Sequence, residues 1–162
     1  MDITIRPAVA ADSDALTAIA FAAKLHWQYP PEYFAVWRRE LTITPAYIEK
    51  NTVRVAVDDG RAVGFLSLLH VPASYWAGPV FVARGFWLDH LFVTPAYIGR
   101  GIGTRLIAAL RALARERGIA AVHLFADPHA RGFYEKLGAV LRDEAPSSIL
   151  GRTVPHYRLD LG

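Results

Sequence analysis

A chain of 162 residues with 53% apolar and 12% aromatic side chains is long enough to bury a core, too short for two comfortable domains, and too apolar to be disordered. It contains no cysteine, which excludes disulfides, thiolate metal sites and cysteine nucleophiles and fits a reducing cytoplasm. The net charge of +3 is mild, spread along the chain and dense only over 100–117. It serves a small polyanionic ligand as readily as a nucleic acid, and a plain solvated surface more readily than either.

The opening MDITIRPAVAADSDAL lacks the basic-then-apolar pattern of a signal peptide. No apolar run reaches the roughly 18 residues of a membrane span. The expectation is a soluble, cytoplasmic protein. Ile3, Ile5 and Val9 read as a short strand left at Pro7. Asp12 or Ser13 caps a helix to about Leu25, with Leu16, Ile19, Ala20 and Ala23 at helical spacing. The stretch HWQYPP breaks the chain. A second helix is expected over 32–41 with Tyr33, Val36, Trp37 and Leu41 on one side, and Thr44-Pro45 has the signature of a short third helix.

Strand patterns follow. Val53–Val57, the turn Asp58-Asp59-Gly60 and Ala62–His70 predict a hairpin. Residues 71–85 mix proline, glycine and bulky aromatics, so a loop and a distorted strand both remain open. Phe86–Val93 is a strand. Gly103–Arg117 is a helix with Leu106, Ile107, Leu110, Leu113 and Ala114 facing a core and Gly118 closing it. Another buried strand is expected over 121–126, a short helix over 130–137, and a closing strand pair in the tail.

Between strand and helix stands YIGRGIGTRL, with Gly99, Gly101 and Gly103 at every second position. A Walker A loop needs a Lys before Thr104, which is absent. A dinucleotide fingerprint counted from Gly99 needs a glycine where Thr104 stands. What remains is a strand end, a tight turn and a helix N-terminus, presenting backbone N–H groups and a partial positive charge to one point. Arg100 and Arg105 add charge there. The natural guest is a pyrophosphate; the plain alternative is a tight turn with no guest.

The whole segment LDHLFVTPAYIGRGIGTRLI resembles motif A of the GNAT superfamily of acetyl-CoA-dependent N-acyltransferases, a strand followed by V-x-P-x-x-(Q/R)-x-x-G-x-(G/A) and a helix. Val93, Pro95, Gly101 and Gly103 match, while Ile98 stands where the family has Gln or Arg, leaving more of the phosphate contact to backbone amides and Arg100. A second family element, A-x-x-F-Y-x-x-x-G, stands as Ala130 to Gly138, with Asp127 where an Asn often precedes it. IRPAVAADSDAL resembles the family's first strand and helix. The segments HWQYP, LTITP and PSSILGR mark a subgroup and carry no information on substrate.

The resemblance implies one α/β (α+β) domain over 1–162. It would have a mixed, mostly antiparallel central sheet, helices on both faces, and a V-shaped split at the strand before the glycine loop. It implies acetyl-CoA as co-substrate, no metal, and transfer to a small-molecule or peptide amine, with no nucleic-acid or membrane partner and a homodimer through the C-terminal strands within its range. Backbone amides near Leu91, Phe92 and Val93 would receive the pantetheine and thioester carbonyl. Gly99, Arg100, Gly101, Ile102, Gly103 and Thr104 would hold the phosphates.

Asp89 stands where polyamine-type members carry a glutamate that takes the amine's proton. An acid inside an apolar strand is costly unless it is paired or used. Strand alternation sends His90 to the other face, unless a bulge makes it the rival base. Tyr134 aligns with the tyrosine that protonates the departing thiolate, Phe133 fitting the core better. His26, Trp27, Tyr29 and Tyr33, with Trp37, fall where the family builds its acceptor wall, and are equally readable as core. The competing reading of another class is an acyl-CoA-binding sensor that does not turn over.

Overall fold

The computed structural model describes residues 1–162. In chain order the elements are β1 (Ile3–Pro7), α1 (Ser13–His26), α2 (Pro31–Leu41), α3 (Pro45–Lys50), β2 (Thr52–Asp58), β3 (Arg61–Val71), β4 (Tyr75–Ala77) and β5 (Val80–Val82). There follow β6 (Gly85–Val93), α4 (Ile102–Arg117), β7 (Ala121–Phe125), α5 (Arg131–Lys136), β8 (Val140–Pro146) and β9 (Thr153–Asp160). Seven strands form a mixed sheet of order β1-β2-β3-β6-β7-β9-β8, and β4 and β5 pair apart as a ribbon. The β6–β7 pairing is parallel and is registered at Trp87 opposite His123. By contrast β7 and β9 run antiparallel from Ala121 opposite Asp160 to Phe125 opposite His156.

The chain divides into two compact units, 1–68 with 90–109, and 69–89 with 110–162. In the first unit, α1 and α2 follow the expected periodicity with one exception. Leu16, Ile19 and Ala20 of α1 are buried, as are Trp37 and Leu41 of α2, each large apolar side chain contributing about 1.5–3 kcal/mol. Val36, expected on the buried side, is 46% exposed, and the half-buried Phe34 stacks at 6.4 Å on Phe21 instead. Val9 likewise lies beyond β1 and is exposed.

Asp12 does not cap α1 through its side chain. Its carboxylate accepts from the Val9 amide at 2.8 Å and from the Arg6 guanidinium at 2.8 and 3.0 Å, closing the turn before the helix. Ser13 and Thr17 clasp the chain after α2: Ser13 Oγ donates to the Ile43 carbonyl at 2.6 Å, and Thr17 Oγ1 accepts from the Ile43 amide at 2.9 Å. Ile43 is thereby buried outside any helix or strand with its backbone groups satisfied. Thr44 caps α3 as expected, accepting from the Tyr47 amide at 3.0 Å.

In the second unit, residues 71–85 resolve the open alternatives as the last residue of β3, a turn, the β4–β5 ribbon, a short connection and the first residue of β6. Trp76 and Phe81 pair their rings at 5.2 Å across the ribbon while staying exposed. Buried Val122, Leu124, Tyr157 and Leu159 alternate along β7 and β9 with His123, Phe125, His156 and Arg158. The register thereby assigns one apolar face and one polar–aromatic face. At the end of α5, the Ala139 amide donates to the Tyr134 carbonyl and the Gly138 amide to that of Glu135, both at 3.0 Å. This double bond pattern stops the helix and fixes the backbone of Tyr134.

Candidate active site

The glycine turn belongs to the first unit. After β6 the Thr94 amide is held by the Val63 carbonyl at 2.8 Å, and a single turn over Pro95–Tyr97 leads into Gly99 and Gly101, both with φ of +80°. That left-handed backbone strains a residue with a Cβ. A Cβ on either glycine would meet no heavy atom within 4 Å. These glycines therefore serve the backbone path and an open outer side, not close packing. The chain enters α4 at Ile102, and the Arg105 amide bonds the Gly101 carbonyl at 3.1 Å. The amides that open a helix, here those of Ile102, Gly103 and Thr104, have no partner within it and carry the positive end of its dipole. Ile102 contributes only that amide, its side chain being 1% exposed and part of the core.

Tyr97 braces the turn. Its hydroxyl donates to Asp58 at 2.7 Å, and the Arg100 guanidinium lies 4.9 Å over its ring. The hydrogen bond holds the Asp58 carboxyl below its ordinary range and lifts the Tyr97 phenol. Arg100 is thus positioned by cation–π contact beside the two glycines, where Ile98, 49% exposed, offers no donor. Arg105, expected to add charge here, is spent elsewhere: its guanidinium donates to the Ile3 carbonyl of β1 at 2.8 Å.

The end of β6 is held against β3 at two points in the same unit. A Cβ on Gly64 would stand 3.0 Å from the Phe92 carbonyl oxygen and 3.1 Å from Ile102 Cγ2, so glycine there permits β3 to approach β6 and α4. Ser67, fully buried, accepts through its Oγ from the Tyr47 hydroxyl at 2.8 Å and from the His90 amide at 3.1 Å. Ser67 thereby ties β3 to β6 at the backbone of His90, the residue named as rival base. The His90 ring packs near Tyr47, Phe65 and Phe92, at 5.9, 6.2 and 5.6 Å. Leu91, Phe92 and Val93 are all half-buried.

The aromatic cluster at α1 and α2 is one connected group. Trp37 meets Tyr29, Tyr33 and Phe34 at 5.1, 5.4 and 5.5 Å, and Tyr29 stacks on Tyr33 at 6.0 Å. The chain's own Lys24 ammonium lies 4.7 Å over Trp37 and 5.7 Å over Tyr29. Trp37 is core, and Tyr29 and Tyr33 are half-buried. His26 and Trp27 touch each other at 4.7 Å and are exposed. Core and wall readings therefore divide within the cluster, Trp37 taking the first and His26 with Trp27 available for the second.

Asp89 and Tyr134 belong to the second unit. Asp89 is exposed, so the burial cost that singled it out in the sequence does not apply; its strand neighbours Trp87 and Leu88 are buried and it is not. Tyr134 is 6% exposed while Phe133 is half-buried, the reverse of the order expected. Tyr134 packs on Phe133 at 5.1 Å and Tyr157 at 6.3 Å, and the Tyr157 hydroxyl donates to Glu135 at 2.8 Å. Burial pushes the Tyr134 phenol well above its ordinary value, so it remains protonated at neutral pH. Asp127 caps the turn leading to α5, accepting from the His129 amide at 2.9 Å.

One group was not found from the sequence. His123 Nδ1 and His156 Nε2 are 3.0 Å apart, and His156 Nδ1 is 3.4 Å from Asp143. The two histidines stand 33 positions apart, so only strand register brings them together. The signal available was the alternation of His123 and Phe125 with Val122 and Leu124. No group of three or more His, Asp or Glu residues is placed to hold a metal ion, and no helix is long and apolar enough to cross a membrane.

The acetyltransferase (GNAT) family model matches residues 18–139. Among solved structures, the chain is similar to the PaiA N-acetyltransferase of Thermoplasma acidophilum in complex with coenzyme A. Identity is 20%, coverage 99% of each chain and the TM-score 0.77. A GCN5-related N-acetyltransferase of Rhodopseudomonas palustris is 27% identical, covered over 99% of this chain and 95% of that one, with a TM-score of 0.74. The ribosomal-protein-S18-alanine N-acetyltransferase of Escherichia coli is 20% identical over 99% and 94%, with a TM-score of 0.68. No curated protein matches the sequence.

Proposed function

Because the chain belongs to the acetyltransferase (GNAT) family, we propose that residues 1–162 act as one catalytic domain that moves an acetyl group from acetyl-CoA to a primary amine, donor and acceptor bound together. The observation that carries this reading is the turn at Gly99 and Gly101. Two left-handed glycines with open space outside them lead directly into the N-terminus of α4 beside a positioned Arg100. Oriented amides, a helix dipole and one fixed guanidinium suit the phosphates of coenzyme A, and Arg100 supplies the side-chain donor that Ile98 lacks. That the Thermoplasma relative is in complex with coenzyme A supports the same ligand.

The acceptor must lose a proton before its nitrogen can attack, since an alkylammonium has a pKa near ~10 and no lone pair. In this reading Asp89, exposed on β6, holds a water that takes that proton. His26, Trp27, Tyr29 and Tyr33 line the acceptor's approach, and the amides near Leu91, Phe92 and Val93 receive the thioester. Tyr134 presents its O–H to the departing sulfur, whose thiol has a pKa of about 8.5. A full phenolate would be poorly solvated at Tyr134, so a strong hydrogen bond comes first and proton transfer completes as product leaves. A small amine and a peptide N-terminus are both acceptors of the required chemistry; the Escherichia coli relative, by its name, acts on the latter class.

Replacing Tyr134 with Phe and Asp89 with Asn, each assayed for coenzyme A release across an amine panel, tests the assignment. General acid and base groups contribute about 10²–10⁴ in rate. Each variant is expected to lose that order of activity while acetyl-CoA still raises its unfolding midpoint. A wild-type protein that binds acetyl-CoA and acetylates no amine would instead be the acyl-CoA sensor. Variants as active as wild type would remove both residues from the chemistry.

A further inference from the structure

The sequence Asp58-Asp59-Gly60-Arg61 closes β2 onto β3 through two residues, Asp59 and Gly60, with φ of +48° and +75°. These are the left-handed central residues of a tight hairpin turn. Asp58 is therefore the last paired residue of β2, opposite Arg61 of β3 and Ile3 of β1, on backbone with little freedom. Its half-buried carboxylate meets donors from two distant segments. Oδ1 accepts from the Asp2 amide at 3.2 Å, and Oδ2 accepts from the Tyr97 hydroxyl at 2.7 Å, 39 positions along the chain. One carboxylate thus joins the residue before β1, the end of β2 and the glycine turn.

Tyr97 carries that joint into the turn. The Arg100 guanidinium lies 4.9 Å over the Tyr97 ring, and the Arg100 amide donates to the Tyr97 carbonyl at 3.3 Å. Both the backbone and the side chain of Arg100 are therefore placed by Tyr97, whose ring is restrained at its hydroxyl end by Asp58. The Tyr97 bond foremost, then the Asp2 amide, hold the Asp58 carboxyl below its ordinary range, and the same bond raises the Tyr97 phenol. At neutral pH the pair is carboxylate and phenol. Donation to a carboxylate enriches the ring face that Arg100 occupies, which strengthens the cation–π contact. Arg100 is exposed, and an exposed arginine must otherwise be ordered at the ligand's expense when it binds.

We infer that Asp58 is a positioning residue for the acyl donor: through the Tyr97 ring it holds Arg100 beside Gly99 and Gly101, so that a negative side chain strengthens the binding of a polyphosphate. The inference rests on the proposed transferase reading, in which this turn receives the phosphates of coenzyme A, and adds to it a residue from outside the glycine segment. Charge alone gives the opposite sign. A carboxylate near a phosphate site repels the ligand, so its removal would tighten binding. A brace that preorders a guanidinium gives a loss when it is removed. The sign of the effect separates the two.

The test is calorimetric titration of coenzyme A into wild type, Asp58→Ala, Asp58→Asn, Tyr97→Leu, Arg100→Ala and the double variant at Tyr97 and Arg100. Urea midpoints establish that each is folded. Arg100→Ala is expected to weaken binding about tenfold, the loss of a charged hydrogen bond. Asp58→Ala and Tyr97→Leu are each expected to weaken it about two- to fivefold, the range of an exposed cation–π contact. Asp58→Asn still accepts from the Tyr97 hydroxyl and is expected to recover wild-type affinity, a rescue that charge alone does not give. In the Arg100→Ala background, Tyr97→Leu is expected to cost nothing more, because its effect runs through that guanidinium. Unchanged or tighter binding in Asp58→Ala overturns the inference, as does a Tyr97→Leu loss that adds in full to that of Arg100→Ala. Either result leaves the transferase reading standing. If Asp58→Ala does not fold, the cycle between Tyr97 and Arg100 decides. A wild type that does not bind coenzyme A overturns the transferase reading and this inference with it.

Discussion

Replacing Ser67 with alanine removes one oxygen that satisfies two donors. Ser67 is fully buried on β3, and its Oγ accepts from the Tyr47 hydroxyl at 2.8 Å and the His90 amide at 3.1 Å. A part-buried amide deprived of its acceptor costs about 1–3 kcal/mol, and the hydroxyl loses a further bond worth about 1 kcal/mol, so the variant should be about 3 kcal/mol less stable. At 2–4 °C per kcal/mol for a chain of this size, its midpoint should fall by roughly 6–12 °C. Tyr47→Phe keeps the Ser67–His90 bond and should cost only about 1 kcal/mol. Urea unfolding of both variants and of the double variant measures the difference. Equal costs for the two single variants would show that the Ser67–His90 bond does not hold β6 and would refute the reasoning.

Gly64→Ala should destabilise by about 1–3 kcal/mol, because its Cβ would stand 3.0 Å from the Phe92 carbonyl oxygen, a backbone atom without freedom to retreat; unfolding in urea checks it. Gln28 holds φ of +57° after α1, so Gln28→Gly should relieve strain and raise stability by up to about 1 kcal/mol, read from the thermal midpoint. His123 binds its proton less readily folded than unfolded. Its contribution to stability is therefore present above pH ~6.5 and is lost as pH falls through the folded value. His123→Gln should flatten the fall in urea midpoint between pH 7.5 and 5; an identical fall in the variant would place the acid sensitivity elsewhere.

Legibility in the sequence followed the range of the interaction. Helix periodicity, the Thr44-Pro45 cap and the turn at Asp59 and Gly60 are local and were readable within two residues. The ribbon over 75–82 was not, because three-residue strands are too short to show alternation beside proline and glycine. Val36 failed because one turn of α2 cannot say which of two adjacent apolar residues faces inward. The order of Phe133 and Tyr134 failed for the same reason, sharpened by Tyr157, a distant residue whose ring offers Tyr134 its packing surface. The glycine turn was legible because its glycines, its helix start and Arg100 are contiguous. The bracing of Arg100 through Tyr97 and Asp58, the diversion of Arg105 to β1, and the His123–His156 pair all depend on residues brought together by topology alone.

The most direct test of the central claim is thermal unfolding with and without acetyl-CoA, NAD serving as the control dinucleotide. A ligand that binds only the folded chain at 100 times its dissociation constant stabilises by about 2.7 kcal/mol, or roughly 5–11 °C at this size. A saturable rise with acetyl-CoA and none with NAD is the predicted result. An unchanged midpoint at millimolar acetyl-CoA would mean that Gly99, Arg100 and Gly101 do not hold its phosphates, and would contradict the acetyl-transfer function built on them.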